Sequence, residues 1–398
     1  MLKDIRELIY IVIKAIKQYF KNKKNPPLSY QEYKKVTTYK KFDDPRRKNI
    51  YESVSLSEEQ MAEIDKLYID NYGEKIPYIW HKHFTAFTGK FAPDYIPETL
   101  YIPEFEYYMN MNINYATVLE DKNFLPSLAV GVGIKTPKTK LSCSKGFYYN
   151  EKTPLTKAEA ISYISNIGKV FVKPSIDSSS GEGCFVVDFK NGIDVISSKS
   201  AEKIIDEIGS DFCMQEIIVC SESIRKIYPH GVNTFRVITY RWKNEICVVP
   251  VIMRIGQGGA VVDNAHAGGM FIAVDDNGNL HETAFTEFKT EYKSHPDTSI
   301  VFKGYEIKNF SKVIDCAKKI HANVPQVGSV NWDFTIDNTE TPVLIEANVN
   351  GGSVWLSEMA HGCGPFGNKT PEILRWLKFM NNLTQKDRKN YMFGEMKD

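Results

Sequence analysis

The spacing of apolar residues changes along the chain. Over residues 1–24 the apolar positions recur at helical intervals, and residues 25–117 have the pattern of a mixed, mainly helical region. From Asp121 onward, short helical patterns alternate with β-rich runs. We therefore predict an amphipathic helix, then a mainly helical region, and then a larger α+β region.

The first 24 residues are predicted to form a basic amphipathic helix. The helix is too short and too charged to span a bilayer. Two uses of its apolar stripe stay open. The stripe packs on this protein or on a second copy in a homo-oligomer, or it makes peripheral contact with the inner face of a membrane, where Lys21, Lys23 and Lys24 attract anionic lipid. The stripe consists of Leu2, Ile5, Leu8, Ile9, Val12, Ile13, Ile16 and Phe20.

Turn signals divide the β-rich runs into hairpins. Asp276-Asn277-Gly278 and Asp337-Asn338 each separate two neighbouring runs, so the second half of the chain is predicted to be largely antiparallel sheet with helices packed against it. The predicted strands cover residues 170–173, 184–189, 213–219, 234–241, 245–253, 269–274, 327–336 and 342–348. Helices are predicted from Ser57 toward Asn71, over 122–130, from Thr156 to Gly168, and after Thr370 as N-cap.

Composition excludes several classes of protein. The 398 residues contain 42% hydrophobic and 25% charged residues, close to the average of globular proteins, which argues against a disordered, fibrous or membrane-spanning chain. The formal net charge of +1 provides no overall field to attract nucleic acid. The seven cysteines are scattered and form no C-x-x-C pair, so a disulfide framework and a zinc site are disfavoured and a reducing cytoplasm is favoured.

Lys173 ends the apolar run VFVKP and precedes the small-residue loop SIDSSSGEG. This order puts a positive charge at a strand end, beside backbone that can fold around phosphate oxygens because glycine and serine allow close approach. The loop lacks the residue order of a Walker loop. Loops of this composition also simply join strands, so a phosphate site and a plain connection both stay open.

Asp333, Glu346 and Asn348 form the strongest candidate site. Asp333 lies in the strand run VNWDF, and the next run, VLIEAN, carries Glu346 and Asn348 on one face because side chains two apart on a strand point the same way. A hairpin between the runs brings Asp333 opposite this pair. Three oxygen ligands on rigid strands suit Mg²⁺. The alternative is that these polar sides face solvent.

Two further runs contain residues suited to a nucleotide. The apolar strand CMQEIIVCSES can bind adenine through its main chain and ends in polar residues, although alone it would pass for an ordinary strand. Arg236 and Arg254 lie on predicted strands, where each could stabilise a phosphoryl group or belong to a structural ion pair. The loop DNAHAGG at 263–269 follows and can approach a ligand closely.

Together and in this order, these elements resemble the ATP-grasp superfamily, and the assembly looks like its sugar-transfer-associated family. The resemblance covers roughly residues 75–368. It implies an α+β ATP-grasp fold in which two subdomains with largely antiparallel sheets, a lid over 118–214 and a C-terminal subdomain over 215–398, grip ATP between them. Its motifs are DKN at 121–123, VKP at 172–174, the Gly-rich loop at 178–183, QEI at 215–217, NTFR at 233–236, DNAHAGG, SHP at 294–296, WDF at 332–334 and IEAN at 345–348.

The resemblance also implies roles for individual residues. Two lysines would contact the ATP phosphates, the Gly-rich loop would close over them, and the segment from Gln215 to Ile218 would line the adenine with Glu222 on the ribose. The implied ATP ligands are Lys122, Lys173, Ser178, Ser179, Ser180, Gly181, Gly183, Gln215, Glu216, Ile217, Ile218 and Glu222. Asp333, Glu346 and Asn348 would bind two Mg²⁺ ions, with Glu346 bridging them.

The reacting centre implied by the resemblance contains Arg254 and Asn264, with Arg236 nearby and His266 as a candidate for deprotonating an amine. One position departs from the related D-alanine ligases, which carry an arginine two residues before the metal-binding aspartate. Asn331 stands at that position here, and Arg254 would supply the charge instead.

The implied activity is ATP-dependent ligation of a carboxylate and an amine through an acylphosphate. The expected substrates are small molecules, a sugar acid or an amino acid used in surface-polysaccharide or cell-envelope synthesis. A phosphotransferase acting on a hydroxyl group is the alternative, and a nucleotide-binding regulator without turnover is a third. The aromatic residues Tyr78, Trp80, Phe84 and Tyr101 either stack on sugar rings in the acceptor pocket or belong to the core.

Overall fold

A computed structural model describes residues 29–151, 153–176, 181–260, 263–265 and 268–396 of the chain. The amphipathic helix predicted over residues 1–24 therefore lies outside the described residues. Within these ranges, no helix combines the length and the apolar character needed to cross a membrane.

A seven-stranded antiparallel sheet, the lid sheet, forms the first β unit. Its strands lie in the order β3-β2-β1-β7-β4-β5-β6. Helices Lys157–Ile164 and Ala201–Ile208 pack on it and bury a core of their own. Its strands are β1 (Thr139–Ser144), β2 (Phe147–Asn150), β3 (Thr153–Leu155), β4 (Gly168–Pro174), β5 (Phe185–Lys190), β6 (Ile193–Asp194) and β7 (Phe212–Glu216).

An eight-stranded antiparallel sheet, the body sheet, forms the second unit. Its order is β13-β12-β11-β10-β8-β14-β15, and β9 also pairs with β8. Helix Phe310–Ala322 and the segment 116–134 cover one face. Its strands are β8 (Thr234–Trp242), β9 (Glu245–Val248), β10 (Ile252–Ile255), β11 (Met270–Ala273), β12 (Ala284–Phe285), β13 (Glu291–Tyr292), β14 (Ser329–Ile336) and β15 (Pro342–Asn348).

The N-terminal helices cover the other face of the body sheet, together with Val354–His361 and Thr370–Asn381. We call this set of helices before residue 117 the N-terminal layer. It has no separate core, because its buried side chains share clusters with those of the body sheet. Its helices are Tyr30–Lys40, Pro45–Glu52, Glu58–Asn71, Ile79–Thr88, Glu98–Leu100, Tyr107–Met109 and Ile113–Ala116, with a π-helix at Tyr101–Glu106. The other helices are Leu125–Gly131, Glu222–Ile227 and Gln385–Arg388, with 3₁₀ turns at Lys41–Asp43, Thr117–Glu120, Gly367–Lys369 and Met392–Gly394.

The α+β class and the largely antiparallel sheets agree with the sequence prediction. Ser57 and Thr156 form the predicted capping boxes. In each box, the cap side chain accepts a hydrogen bond from the backbone N–H of the third helical residue, and the side chain of that residue accepts one from the backbone N–H of the cap. The predicted strand 245–253 is wrong as one unbroken run. It is interrupted around Pro250, where the register against β8 shifts by one residue, because proline donates no ladder hydrogen bond. The helix Thr370–Asn381 has Lys369 rather than Thr370 at its N-cap position, and the Lys369 side chain makes no capping hydrogen bond.

Candidate active site

A cavity of about 720 Å³ lies between the lid sheet and the body sheet. Most of the residues that the sequence singled out surround it. The lining includes Lys122, Lys173, Gly181, Gln215, Glu216, Ile217, Ile218, Arg236, Arg254, Asn264, Asp333, Glu346 and Asn348. Residues far apart in sequence thus meet in one place, as the candidate site requires.

Strand β4 forms the lid wall of the cavity. Lys169, Phe171 and Lys173 all line it, because side chains two apart point to the same face of a strand. Lys173 is buried, and its ammonium donates toward the carbonyl oxygen of Ile345 on the body side, 3.5 Å away. Lys169 and Phe171 were not predicted from sequence to line the site. Their positions two and four residues before Lys173 on the same strand are the signal that would have identified them, because alternate side chains share one face.

The end of β7 is held by its neighbour in the lid sheet. The Gln215 amide donates to Thr139 Oγ1 at 3.1 Å, and the Glu216 carboxylate accepts from the Lys138 backbone N–H at 3.1 Å. The strand stops at Glu216, so the predicted continuation to residue 219 is absent and 217–219 run along the cavity as irregular backbone.

Antiparallel pairing of β14 and β15 brings the candidate metal ligands together. Asp333 lies directly opposite Glu346, and Asn348 lies two residues further along β15. On its other side, Asp333 is in register with Arg236 of β8. These side chains lie on the face of β14 and β8 opposite Trp332 and Val237, which enter the core beneath the sheet.

Two buried arginines hold Asp333. Arg236 Nε lies 2.6 Å from Asp333 Oδ1, and an Arg254 guanidinium nitrogen lies 3.0 Å from Asp333 Oδ2. Arg254 also donates to Thr234 Oγ1 at 2.7 Å and to Asn264 Oδ1 at 3.2 Å. Burial alone lowers the pKa of Arg254, but the neighbouring carboxylates, Asp263 first, outweigh it and the pKa is raised.

For two other members of this network, burial outweighs the neighbouring charges in setting the pKa. Burial lowers the pKa of Arg236 despite the attraction of Asp333. Burial also raises the pKa of Asp263, against the effect of Arg254. Lys122 completes the set with an ion pair to Glu346 Oε1 at 3.3 Å. The carboxylates are therefore balanced by protein cations in a site largely shielded from water.

The oxygen donors fit a hard divalent cation. Among the described residues, no group of three His, Cys, Asp or Glu side chains is arranged to hold a metal. The donor set at the cavity is instead two carboxylates and one amide, those of Asp333, Glu346 and Asn348. Mg²⁺ is bound in this way when one or two carboxylates are supplemented by water and substrate phosphate oxygens.

Some predicted site residues lie elsewhere. Glu222 is exposed, pairs with Lys226 at 2.8 Å and does not line the cavity. Gly183 does not line it either. Its positive φ of 72° and the 2.9 Å that would separate an added Cβ from Pro174 explain why glycine stands there. Ser178, Ser179, Ser180 and His266 lie outside the described residues.

Arg225 and His230 line the cavity instead of Glu222. Both belong to the connection between β7 and β8, which contains the helix Glu222–Ile227. No spacing in the sequence distinguished these two residues from the rest of a polar connection, so the sequence offered no signal for them.

Trp355, at the start of the helix Val354–His361, also lines the cavity. The four aromatics proposed from sequence do not line the cavity. Trp80, Phe84 and Tyr101 are buried in the core. Tyr78 donates its hydroxyl to Asp65 at 2.9 Å. Of the two alternatives for these residues, the structure supports the core.

Residues 103–371 match the protein family described as sugar-transfer associated ATP-grasp. No curated protein sequence matches the chain. Among solved structures, VanG D-Ala:D-Ser ligase from Enterococcus faecalis has 15% identity and a TM-score of 0.40, covering 66% of this chain and 63% of its own.

Two other solved structures are less similar in TM-score. Carboxyaminoimidazole ribonucleotide synthase from Aspergillus clavatus, complexed with ATP, has 10% identity and a TM-score of 0.36, covering 61% of this chain and 47% of its own. L-amino acid ligase from Bacillus licheniformis has 13% identity and a TM-score of 0.34, covering 61% and 43%. The chain thus spans less than two thirds of each of these three structures.

Proposed function

The chain belongs to the sugar-transfer-associated ATP-grasp family, and from this premise we propose that it is an ATP-dependent carboxylate–amine ligase. Membership confirms the family and the ATP-grasp fold predicted from sequence. The observation that carries the proposal is the meeting, in one cavity, of the lysines Lys122 and Lys173 with the paired carboxylates Asp333 and Glu346 and the buried Arg254.

The first step we propose is attack by an oxygen of the substrate carboxylate on the γ-phosphorus of ATP. The bond from that phosphorus to the ADP oxygen breaks, and an acylphosphate forms. The phosphoryl group being transferred is negatively charged. Lys122, Lys173 and Arg254 would neutralise that charge. When bound, Mg²⁺ supplies further neutralisation of the phosphate oxygens.

In the second step, an amine nitrogen attacks the acyl carbon and inorganic phosphate leaves with the electron pair of the broken C–O bond. The nitrogen loses a proton as the amide forms. Water must be kept from the acylphosphate meanwhile, because hydrolysis would waste the ATP. The position of the cavity between two sheets, next to the buried side chains of Lys173 and Arg254, supports this requirement.

For the substrates we propose a sugar acid or an amino acid and a small amine, in surface-polysaccharide or cell-envelope synthesis. The family description, which links this group to sugar transfer, supports that choice. Trp355, Leu356 and Ala265 offer apolar contact area in the cavity lining, and the Trp355 ring suits stacking on a sugar ring.

The proposal is tested by incubating the protein with Mg-ATP, pools of candidate acids and hydroxylamine. A ligase should release ADP only with the right acid and should yield the corresponding hydroxamate, identified by mass spectrometry. A phosphotransferase would instead yield a phosphoester that hydroxylamine does not cleave. Absence of acid-dependent ADP release with broad acid pools would contradict ligation.

A further inference from the structure

The backbone directly after Asn348 runs along the cavity. We call residues 349–352 the clamp loop. Asn350 and Gly351 of this loop line the cavity. The position of the clamp loop therefore influences both the candidate metal ligand before it and the space in which an acceptor would bind.

Glu106 holds the second half of the clamp loop. Its Oε2 accepts from the Gly351 N–H and its Oε1 from the Gly352 N–H, each at 2.7 Å. Glu106 ends the π-helix Tyr101–Glu106 of the N-terminal layer and is 3% exposed. Both oxygens of this buried side chain are used, so one carboxyl group holds two consecutive backbone N–H groups.

Glu120 holds the first half in the same way. Its Oε1 accepts from the Val349 N–H at 3.0 Å and from the Asn350 N–H at 3.2 Å. Two carboxylates from outside the body sheet thus bind four consecutive backbone N–H groups. Such a run of donors has no partner in a strand or helix, so it depends on these side chains for its conformation.

A close contact fixes the loop from the side of the body sheet. A Cβ added to Gly352 would lie 2.8 Å from Glu106 Oε1 and 2.9 Å from the Asn331 amide. The Asn331 amide itself donates to the Asn348 carbonyl at 3.1 Å. Glu106 and Asn331 therefore enclose the loop tightly at Gly352, and Asn331 also holds the backbone at Asn348.

We propose that Glu106 and Glu120 are positioning residues that set the orientation of Asn348 through the clamp loop. They would couple the N-terminal layer, through Glu106, and the segment 116–134, through Glu120, to the binding of Mg²⁺ with nucleotide. The metal and nucleotide part of this inference rests on the proposed function. Groups that orient metal ligands from behind commonly affect metal affinity by about 10–100-fold when removed.

The test compares Glu106→Gln, Glu106→Ala and Glu120→Gln with the wild-type chain. Glutamine keeps one acceptor oxygen, so Glu106→Gln removes one of two hydrogen bonds. Glu104→Gln is the matched control. Glu104 lies in the same π-helix and is 1% exposed, but it bonds Lys35, Tyr72 and Asn381 rather than the clamp loop.

Two measurements are made on each variant. Hydrogen exchange followed by mass spectrometry reports the protection of the amides of residues 349–352 without any ligand. Calorimetry with a non-hydrolysable ATP analogue, in EDTA and in Mg²⁺, separates the affinity for nucleotide alone from the gain that Mg²⁺ adds.

We expect Glu106→Ala to lose protection at 351–352 and to lose at least about tenfold of the Mg²⁺-dependent affinity, while affinity in EDTA stays within twofold. Glu106→Gln and Glu120→Gln should give smaller losses in the same direction, and Glu104→Gln should lower the melting temperature without either change. Folded variants that keep both the protection and the Mg²⁺ gain would overturn the proposal. A wild-type chain that binds no nucleotide would instead contradict the proposed function, and hydrogen exchange would still test the clamp.

Discussion

The two walls of the cavity are built on different principles. The lid wall presents alternate side chains of β4, Lys169, Phe171 and Lys173, with the end of β7 beside them, above a hydrophobic core. The body wall is a network in which Arg236 and Arg254 share the carboxylate of Asp333. Residues of the lid wall act one by one, whereas those of the body wall are mutually dependent.

The difference has an energetic consequence. A buried ion pair gains little over apolar packing, but removal of one partner leaves an uncompensated charge and costs about 3–5 kcal/mol. Single substitutions in the body wall should therefore damage both activity and stability. Substitutions in the lid wall should weaken ligand binding and leave the fold largely intact.

The largest effect is expected for Asp333→Asn. Turnover should fall by about three powers of ten, each worth about 1.4 kcal/mol of barrier, and the free energy of unfolding should fall by about 3 kcal/mol because two arginines lose their partner. Rates of ADP formation and urea unfolding measure the two effects. Asp337→Asn is the control, since Asp337 pairs with Lys135 outside the cavity. A stable variant with nearly normal turnover would remove Asp333 from the mechanism.

Acid should also destabilise the body and the lid to different extents. Burial lowers the pKa of four histidines outside the lid to about 3 or 4, namely His81, His83, His321 and His361. The unfolded chain, in which a histidine has a pKa of about 6.5, then binds more protons, so stability is full above that pH and is lost as the pH falls toward 4.

Two buried glutamates oppose this trend. Burial raises the pKa of Glu106 to about 7 and that of Glu358 well above its ordinary value, so the folded state takes up protons there. The raised pKa values of the half-buried Asp94 and the buried Asp263 act in the same direction as those of the glutamates, so the loss of stability that the four histidines cause between pH 7 and pH 5 should be reduced but still present. None of the eight histidines lies within residues 118–214. At pH 5, hydrogen exchange should therefore show that amides of the body sheet and its helices lose protection before those of the lid sheet. Loss of protection in the lid first would contradict this prediction.

A smaller effect is expected for Lys173→Met. Loss of a charged hydrogen bond to phosphate costs about 1.5–3 kcal/mol, so nucleotide affinity should fall roughly 10- to 100-fold with little change in unfolding free energy. Calorimetry with ATP analogue and urea unfolding give both numbers. Lys190→Met, on the neighbouring strand and outside the cavity lining, should bind normally. Equal affinity of both variants would place the phosphates elsewhere.

The smallest effect is expected for Glu222→Gln. Because Glu222 is exposed and paired only with its helical neighbour Lys226 among the contacts described, nucleotide affinity should change by less than twofold. A larger loss would mean that the connection between β7 and β8 moves Glu222 into the cavity when nucleotide binds.

Residue spacing predicted the body wall better than the lid. Strands β14 and β15 are long, strongly patterned and joined by a tight turn, so both their pairing and the facing of Asp333 and Glu346 followed from local rules. The strands β1, β2 and β3 were not predicted, because they are short, half-exposed and carry lysine, serine and proline.

The parts of the site that were not predicted from sequence share one cause. Glu106 and Glu120 reach the clamp loop across more than two hundred residues of chain, and the hydrogen bonds go to backbone groups that have no sequence signature. The partners of Arg254 likewise come from three separate segments. Local patterns fix which way a side chain points, but only the tertiary arrangement decides what it meets.

The shared core of the N-terminal layer and the body sheet has a practical consequence for recombinant work. The family match begins at residue 103, inside the π-helix Tyr101–Glu106. A fragment trimmed to that boundary would uncover the apolar surface around Tyr240 and Trp242, which the missing helices and the C-terminal helix normally bury. Such a fragment should aggregate on expression, whereas one spanning residues 29–396 retains the partners of that surface that lie in the described part of the chain.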